Sequence, residues 1–106
     1  MANKTQIYIR LESDDGIIGW WSFDRDTGES HICQGKELWG YGPYGYEYCR
    51  GTPCTSAKEA KTRAKLAVNT ANFDGDPNPK ATFWAFKNGR LTQLKISKTN
   101  TIIWMK

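Results

Sequence analysis

Four side chains of the 106-residue chain are soft metal ligands that could together form a tetrahedral zinc site. A zinc ion bound there would stabilise the glycine-rich segment enclosed by these residues. Their spacing, H-x-C and then C-x4-C, lacks the C-x2-C pair of common zinc motifs. We therefore expect reduced thiols and no cofactor, with structural zinc or a Cys49–Cys54 disulfide as alternatives. The four candidate ligands are His31, Cys33, Cys49 and Cys54.

The sequence offers little for catalysis. His31 and Cys33 would share a face of a strand, because they are two residues apart, and they form the only nucleophile pair we find. No serine lies in a nucleophile elbow, and the glycines of 40–45 do not join a strand to a helix as phosphate-binding loops do. We therefore expect a protein that is not an enzyme.

Residues 35–54 form a segment rich in glycine and tyrosine, inserted before the helix. Its aromatic residues are spaced two apart in two runs, broken at Gly42-Pro43, which predicts two extended arms around a turn. Such side chains can anchor a protein interface or stack on nucleic-acid bases, or they can fold back over the core. The residues that we expect to bind a partner are Trp39, Tyr41, Tyr44, Tyr46 and Tyr48.

Charge is distributed unevenly along the chain. Residues 1–50 contain five Lys/Arg and eight Asp/Glu, whereas residues 51–106 contain ten Lys/Arg and three Asp/Glu. Cations near aromatic residues are typical of phosphate binding, although cations on a helix usually only keep its outer face solvated. The candidate phosphate-binding residues are Lys58, Lys61, Arg63, Lys65, Lys87 and Arg90.

Alternating apolar residues predict three strands before the aromatic segment. In the second of them, Trp20 and Trp21 must point to opposite faces, with Ile18 on the side of Trp20 and Ile17 on the side of Trp21. One tryptophan then belongs to the core, and the aromatic segment is a candidate cover for the other. The three predicted strands are Gln6 to Leu11, Ile17 to Asp24 and Glu29 to about Gln34.

A helix is predicted from about Ser56 to Ala71, where Ser56 and Glu59 match a capping box and alanines recur at helical spacing. Three more strands follow, and Asn88-Gly89 is a strong hairpin signal between the first two. We predict one α+β domain over residues 1–106. Its antiparallel sheet has five or six strands with one helix packed on one face, in the order β-β-β-loop-α-β-β-β. The last three strands are Ala81 to Lys87, Leu91 to Ser97 and Thr101 to Met105.

Two stretches, GWWSFDRDTGE at 19–29 and TSAKEAK at 55–61, resemble the small arm-binding domains of tyrosine integrases. Those domains have strands with an aromatic residue, a turn with Asp and Gly, and a helix that begins with a T-K-x-E-A motif. The resemblance implies a sheet that contacts the DNA major groove. It covers about half of the chain, and the aromatic segment and the C-terminal strands depart from it. In general style, the chain is similar to small phage-encoded inhibitors such as anti-CRISPR proteins.

These observations favour a binding protein that contacts another protein, as a phage-type inhibitor of a host nucleic-acid machine would. The alternative is direct binding of DNA or RNA, with the basic helix face on phosphates and the tyrosines on bases. No apolar run is long enough for a bilayer, and the N-terminal residues lack the apolar stretch of a signal peptide, so we expect a cytoplasmic protein without a membrane partner.

Overall fold

The computed structural model describes residues 5–34, 38–41 and 48–105, and for residues 34, 39–41 and 48–50 it describes the backbone only. Within these ranges the chain forms a six-stranded antiparallel sheet with one helix on one face, which confirms the predicted α+β fold. The strand order is β3-β2-β1-β6-β7-β8, and β4 and β5 form a separate two-stranded ribbon. The elements are β1 (Tyr8–Ser13), β2 (Gly16–Asp24), β3 (Glu29–Gln34), β4 (Trp39–Tyr41), β5 (Tyr48–Arg50), α1 (Ala57–Phe73), β6 (Lys80–Lys87), β7 (Arg90–Ile96) and β8 (Ile102–Trp104).

Helix α1 begins at the predicted capping box. The Ser56 hydroxyl accepts a hydrogen bond from the Glu59 backbone amide at 3.0 Å, and the Glu59 carboxylate accepts one from the Thr55 amide at 2.9 Å. Two amides near the helix start are thereby satisfied. Five alanines along one stripe are buried and let the helix approach the sheet closely: Ala57, Ala60, Ala64, Ala67 and Ala71.

The main core lies between α1 and the sheet. Ile7, Ile9 and Leu11 are fully buried there, as their alternation in the sequence predicts. Strand β1 begins two residues later than predicted and extends to Ser13, because Ile7 makes an isolated bridge to Cys54 instead of a ladder. No helix in the described ranges is long and apolar enough to cross a membrane.

A bulge places Ile17 and Ile18 of β2 on the faces opposite to those predicted. The register between β1 and β2 shifts between Leu11 and Glu12, so that Gly19 faces Leu11 and Ile17 faces Glu12. Ile18 therefore packs against the helix-side core, and Ile17 is 42% exposed, the reverse of the predicted arrangement. A bulge adds one residue to a strand and inverts the alternation beyond it.

Strand β1 pairs with both β2 and β6, so it joins the hairpins that come before and after the helix. The turn between β6 and β7 is the predicted Asn-Gly hairpin. Asn88 and Gly89 both have positive φ, 52° and 79°, as a type I′ turn requires.

The ribbon continues into residues that are bonded to β2 and β1. The Thr52 amide donates to the Trp21 carbonyl at 3.0 Å, and the Thr52 hydroxyl accepts from the Phe23 amide at 2.8 Å. Cys54 then exchanges both backbone hydrogen bonds with Ile7, at 2.8 and 2.7 Å. These bonds fix the C-terminal end of the ribbon to the main sheet.

Candidate interaction surface

The six-stranded sheet has two apolar faces, but α1 covers only one. On β6, Ala81, Phe83 and Ala85 face the helix-side core, so the alternate residues point to the other side. We call the part of that other side formed by β6, β7 and β8 the open face. Its residues are Lys80, Thr82, Trp84, Phe86, Leu91, Gln93, Lys95 and Ile103.

Two large apolar side chains of the open face are accessible to solvent. Phe86 is 51% exposed and Ile103 is 52% exposed. Leu91 is the cross-strand partner of Phe86 and is partly buried, and Trp84 is also partly buried. Exposed apolar groups that lie together on one face are typical of interaction sites.

A hydrogen-bonded network holds Trp84 in place on this side of the sheet. Its indole N–H donates to the Thr82 hydroxyl at 2.8 Å, and Thr82 lies 3.1 Å from Glu12 Oε2. The same carboxylate oxygen accepts from Arg10 Nε and Nη2 at 3.0 and 2.9 Å. The guanidinium carbon of Arg10 lies 3.9 Å from the Trp84 ring centroid, which is cation–π geometry.

The ribbon covers the neighbouring part of this side. Trp20 is fully buried in a second cluster with Tyr8 and Leu38, and its ring meets Trp84 edge-on at 6.1 Å. A Cβ atom on Gly51 would lie 2.9 Å from Leu38 Cδ1 and 3.3 Å from Trp20 Cβ, so the two ends of the ribbon lie directly on this cluster. The predicted cover of one tryptophan by the 35–54 segment is thus confirmed for the ends of that segment.

The side chains of the five predicted aromatic anchors lie outside the described part of the structure. Trp39 and Tyr41 lie in β4 and Tyr48 in β5, where the backbone forms the two antiparallel arms that the spacing predicts. Tyr44 and Tyr46 lie outside the described residues, as do the side chains of the other three. Partner binding by these five residues therefore stays a prediction.

The predicted basic residues do not form one free surface. Lys61 Nζ donates to the Ser97 carbonyl and to Asn100 Oδ1 at 3.1 and 3.0 Å. The guanidinium carbon of Arg63 lies 4.9 Å from the Phe23 ring centroid, and Lys87 Nζ lies 5.2 Å from that of Trp104. The other three predicted cations are exposed: Lys58, Lys65 and Arg90.

The described cysteines do not match the expected chemistry. Cys33 is disulfide-bonded, so the prediction of reduced thiols is wrong for this residue, and Cys33 has no thiolate for zinc or for a nucleophile pair with His31. Cys54 is a free thiol, which excludes the Cys49–Cys54 disulfide. Cys33 faces Trp20 on the helix-free side, whereas Cys54 is buried in the helix-side core. Among the described residues, no three His, Cys, Asp or Glu side chains could hold a metal ion; the Cys49 side chain lies outside them.

The Cys54 thiol lies beneath a shallow pocket of about 60 Å³ between α1 and β2. Burial, with a contribution from the Glu59 carboxylate, raises the pKa of the Cys54 thiol to about 12, against an opposing effect of Arg63. The thiol is therefore protonated at neutral pH and a poor nucleophile.

Comparison with known proteins gives no relative: no protein-family model, no curated protein and no solved structure matches the chain.

The sequence contains a signal for the open face that lies in strand alternation and not in a motif. Strand β6, KATFWAFK, places apolar residues on both of its faces, with Phe83 on one and Trp84 and Phe86 on the other. A strand of this kind needs a cover on both sides. No helix or strand in the described ranges covers the rest of the second face, where Phe86 and Ile103 are about half exposed.

Proposed function

We propose that the protein is a non-enzymatic binding protein that contacts another protein through the open face. The observation that supports this most directly is the exposure of Phe86 and Ile103, each about one half, on a face without a helix. Protein interfaces are centred on apolar and aromatic anchors of this kind. The similarity in style to small phage-encoded inhibitors makes a component of a host nucleic-acid machine the first class of partner to test.

Two observations favour a protein partner over direct nucleic-acid binding. Leu91 and Ile103 are aliphatic and offer no plane on which a base could stack. Lys61, Arg63 and Lys87 make contacts within the fold, so fewer cations remain for phosphates than the sequence suggests. The ribbon aromatics Trp39, Tyr41 and Tyr48 belong to the same proposal, because the ends of the ribbon lie on the Tyr8–Trp20 cluster that Trp84 adjoins.

The proposal is tested with a double variant, Phe86→Ser with Ile103→Ser, in pull-downs from a nuclease-treated bacterial lysate. Because removal of two apolar anchors costs an interface several kcal/mol, we expect proteins captured by the wild type to fall at least tenfold with the variant. A matched control, Ile17→Ser with Phe73→Ser, removes two exposed apolar residues from other parts of the surface. It should capture the same proteins as the wild type.

Thermal unfolding monitored by circular dichroism checks that both variants fold, since surface substitutions usually change stability by less than about 1 kcal/mol. Equal capture by the two double variants would show that the open face is not the interface. Capture by the wild type from an untreated lysate that is lost after nuclease treatment would instead indicate a nucleic-acid ligand.

A further inference from the structure

We infer that the partner presents acidic side chains together with apolar ones, an inference that rests on the proposed function of the open face. The strands that form this face contain no carboxylate: no Asp or Glu follows Asp76 in the sequence. Over the same stretch, β6, β7 and the turn after β7 contain five cations: Lys80, Lys87, Arg90, Lys95 and Lys98.

Two of these cations belong to the open face itself. Lys95 is exposed and is the cross-strand partner of Ile103. Lys80 is exposed at the start of β6 and alternates onto the same side as Trp84. Lys95 therefore lies beside the exposed Ile103, whereas Lys80 lies at the opposite end of β6 from Phe86.

The charges on neighbouring β1 do not neutralise these lysines. Glu12 is the cross-strand partner of Lys80, but its carboxylate is ion-paired with Arg10 at 2.9 Å. That pair cancels locally, and no carboxylate in the described part of the chain makes an ion pair with Lys80 or Lys95. A partner with carboxylates at the rim would complement them and gain affinity as well as association rate.

Along β6, the apolar end of the open face is separated from the charged end. Phe86 and Leu91 lie at the β6–β7 turn, and Lys80 lies at the other end of β6, roughly 20 Å away at 3.3 Å per residue. One face of the Trp84 ring is occupied by the Arg10 guanidinium, which limits base stacking there. An acidic peptide segment with aromatic or leucine side chains fits these features better than a nucleic acid does.

The experiment uses a displayed library of random 12-residue peptides, selected on the purified wild-type protein. We expect the enriched peptides to combine Asp or Glu with Leu, Phe or Trp. A synthetic copy of the most enriched peptide should bind at least fivefold more weakly in 500 mM than in 50 mM NaCl, because salt screens charged pairs at a rim.

Charge reversal then locates the interaction. Lys80→Glu with Lys95→Glu should weaken binding of that peptide more than tenfold. The matched control, Lys58→Glu with Lys65→Glu, makes the same change in net charge on the exposed side of α1. It should change the affinity less than twofold.

Each other outcome overturns a distinct statement. Enriched peptides that are neutral or basic, no enrichment at all, or equal effects of the two charge reversals would overturn the inference of an acidic partner. If neutral or basic peptides are enriched and their binding still needs Phe86 and Ile103, the proposed function stands and only the inference of an acidic partner fails. Peptide binding that survives Phe86→Ser with Ile103→Ser would contradict the proposed function itself. Tight binding of a 20-nucleotide single-stranded DNA that displaces the peptide would overturn both.

Discussion

Arg10 shows how a charged residue is accommodated on an otherwise aromatic side of the sheet. Its guanidinium lies over Trp84 and donates twice to Glu12, so that its charge is compensated by one neighbour and its flat face is covered by another. The sequence does not predict this site. Arg10 and Trp84 are 74 positions apart in the sequence and meet only because β1 pairs with β6.

Cys54 gives a prediction at the scale of one side chain. Because its thiol is buried and its pKa is raised to about 12, it should resist alkylation in the native protein. At pH 8, iodoacetamide should label the Cys54 peptide at least a hundredfold faster in urea than in buffer, as measured by mass spectrometry without reductant. Equal rates in the two conditions would show that the thiol is accessible.

The raised pKa of Cys54 also makes the unfolding free energy depend on pH. The unfolded thiol loses its proton from about pH 9 upward, whereas the folded thiol keeps it until about pH 12. Its contribution to stability is therefore complete below pH 9 and is lost as the pH rises towards 12. Between pH 8 and 10, the wild type should lose about 1 kcal/mol more unfolding free energy than Cys54→Ala, as measured by urea denaturation.

At the scale of elements, local patterns predicted most of the structure. The capping box predicts the start of α1, and the alanine stripe predicts its buried side. Asn88-Gly89 predicts the turn between β6 and β7. These features are encoded by residues close together in sequence. The bulge at Ile18, opposite Leu11 and Glu12, and the strand order were not predictable in this way, because they depend on how separate strands pair.

The packing of the two ends of the ribbon against each other over Trp20 can be tested at Gly51. Gly51 does not have a positive φ, so an alanine there is opposed by its neighbours and not by the backbone. Its Cβ would lie 2.9 Å from Leu38 Cδ1, and we expect Gly51→Ala to cost about 1–3 kcal/mol of unfolding free energy. Urea denaturation of the single variants gives the reference values.

A double variant then isolates the contact. Leu38→Ala removes the obstructing methyl groups, so Gly51→Ala with Leu38→Ala should cost at least about 0.5 kcal/mol less than the sum of the two changes. The control pairs Gly51→Ala with Leu94→Ala, whose side chain is buried on the helix side. Those two costs should add. Additive costs for Gly51 and Leu38 would show that the two ends of the ribbon do not contact each other there.

At the scale of the molecule, the open face is small for a stable complex. Three strands about 4.8 Å apart and up to about 25 Å long give a patch of roughly 350 Å². A standard interface buries about 800 Å² on each partner. The partner must therefore also reach beyond the open face, for which the adjacent ribbon is the nearest candidate, or bind only transiently.

The candidate surface could be predicted only in part. Alternation in β6 shows that Trp84 and Phe86 lie opposite Phe83, but which side the helix would cover follows from the assembled sheet. The predicted cations illustrate the same limit. The sequence shows that Lys61 and Arg63 lie on the helix, whereas their contacts with Ser97 and Phe23 depend on how α1 crosses the sheet.

Trp20 and Trp21 are consecutive residues whose indole rings are separated by the thickness of the sheet. The two side chains therefore report on different parts of the core. Trp20 belongs to the cluster beneath the ribbon, and Trp21 belongs to the core beneath the helix. Replacing either one with phenylalanine shifts the fluorescence signal towards the other layer. If both layers melt as one cooperative unit, fluorescence and far-ultraviolet circular dichroism should give the same urea midpoint within each variant. Midpoints that differ in Trp21→Phe alone would mean that the ribbon layer detaches while the helix is still in place.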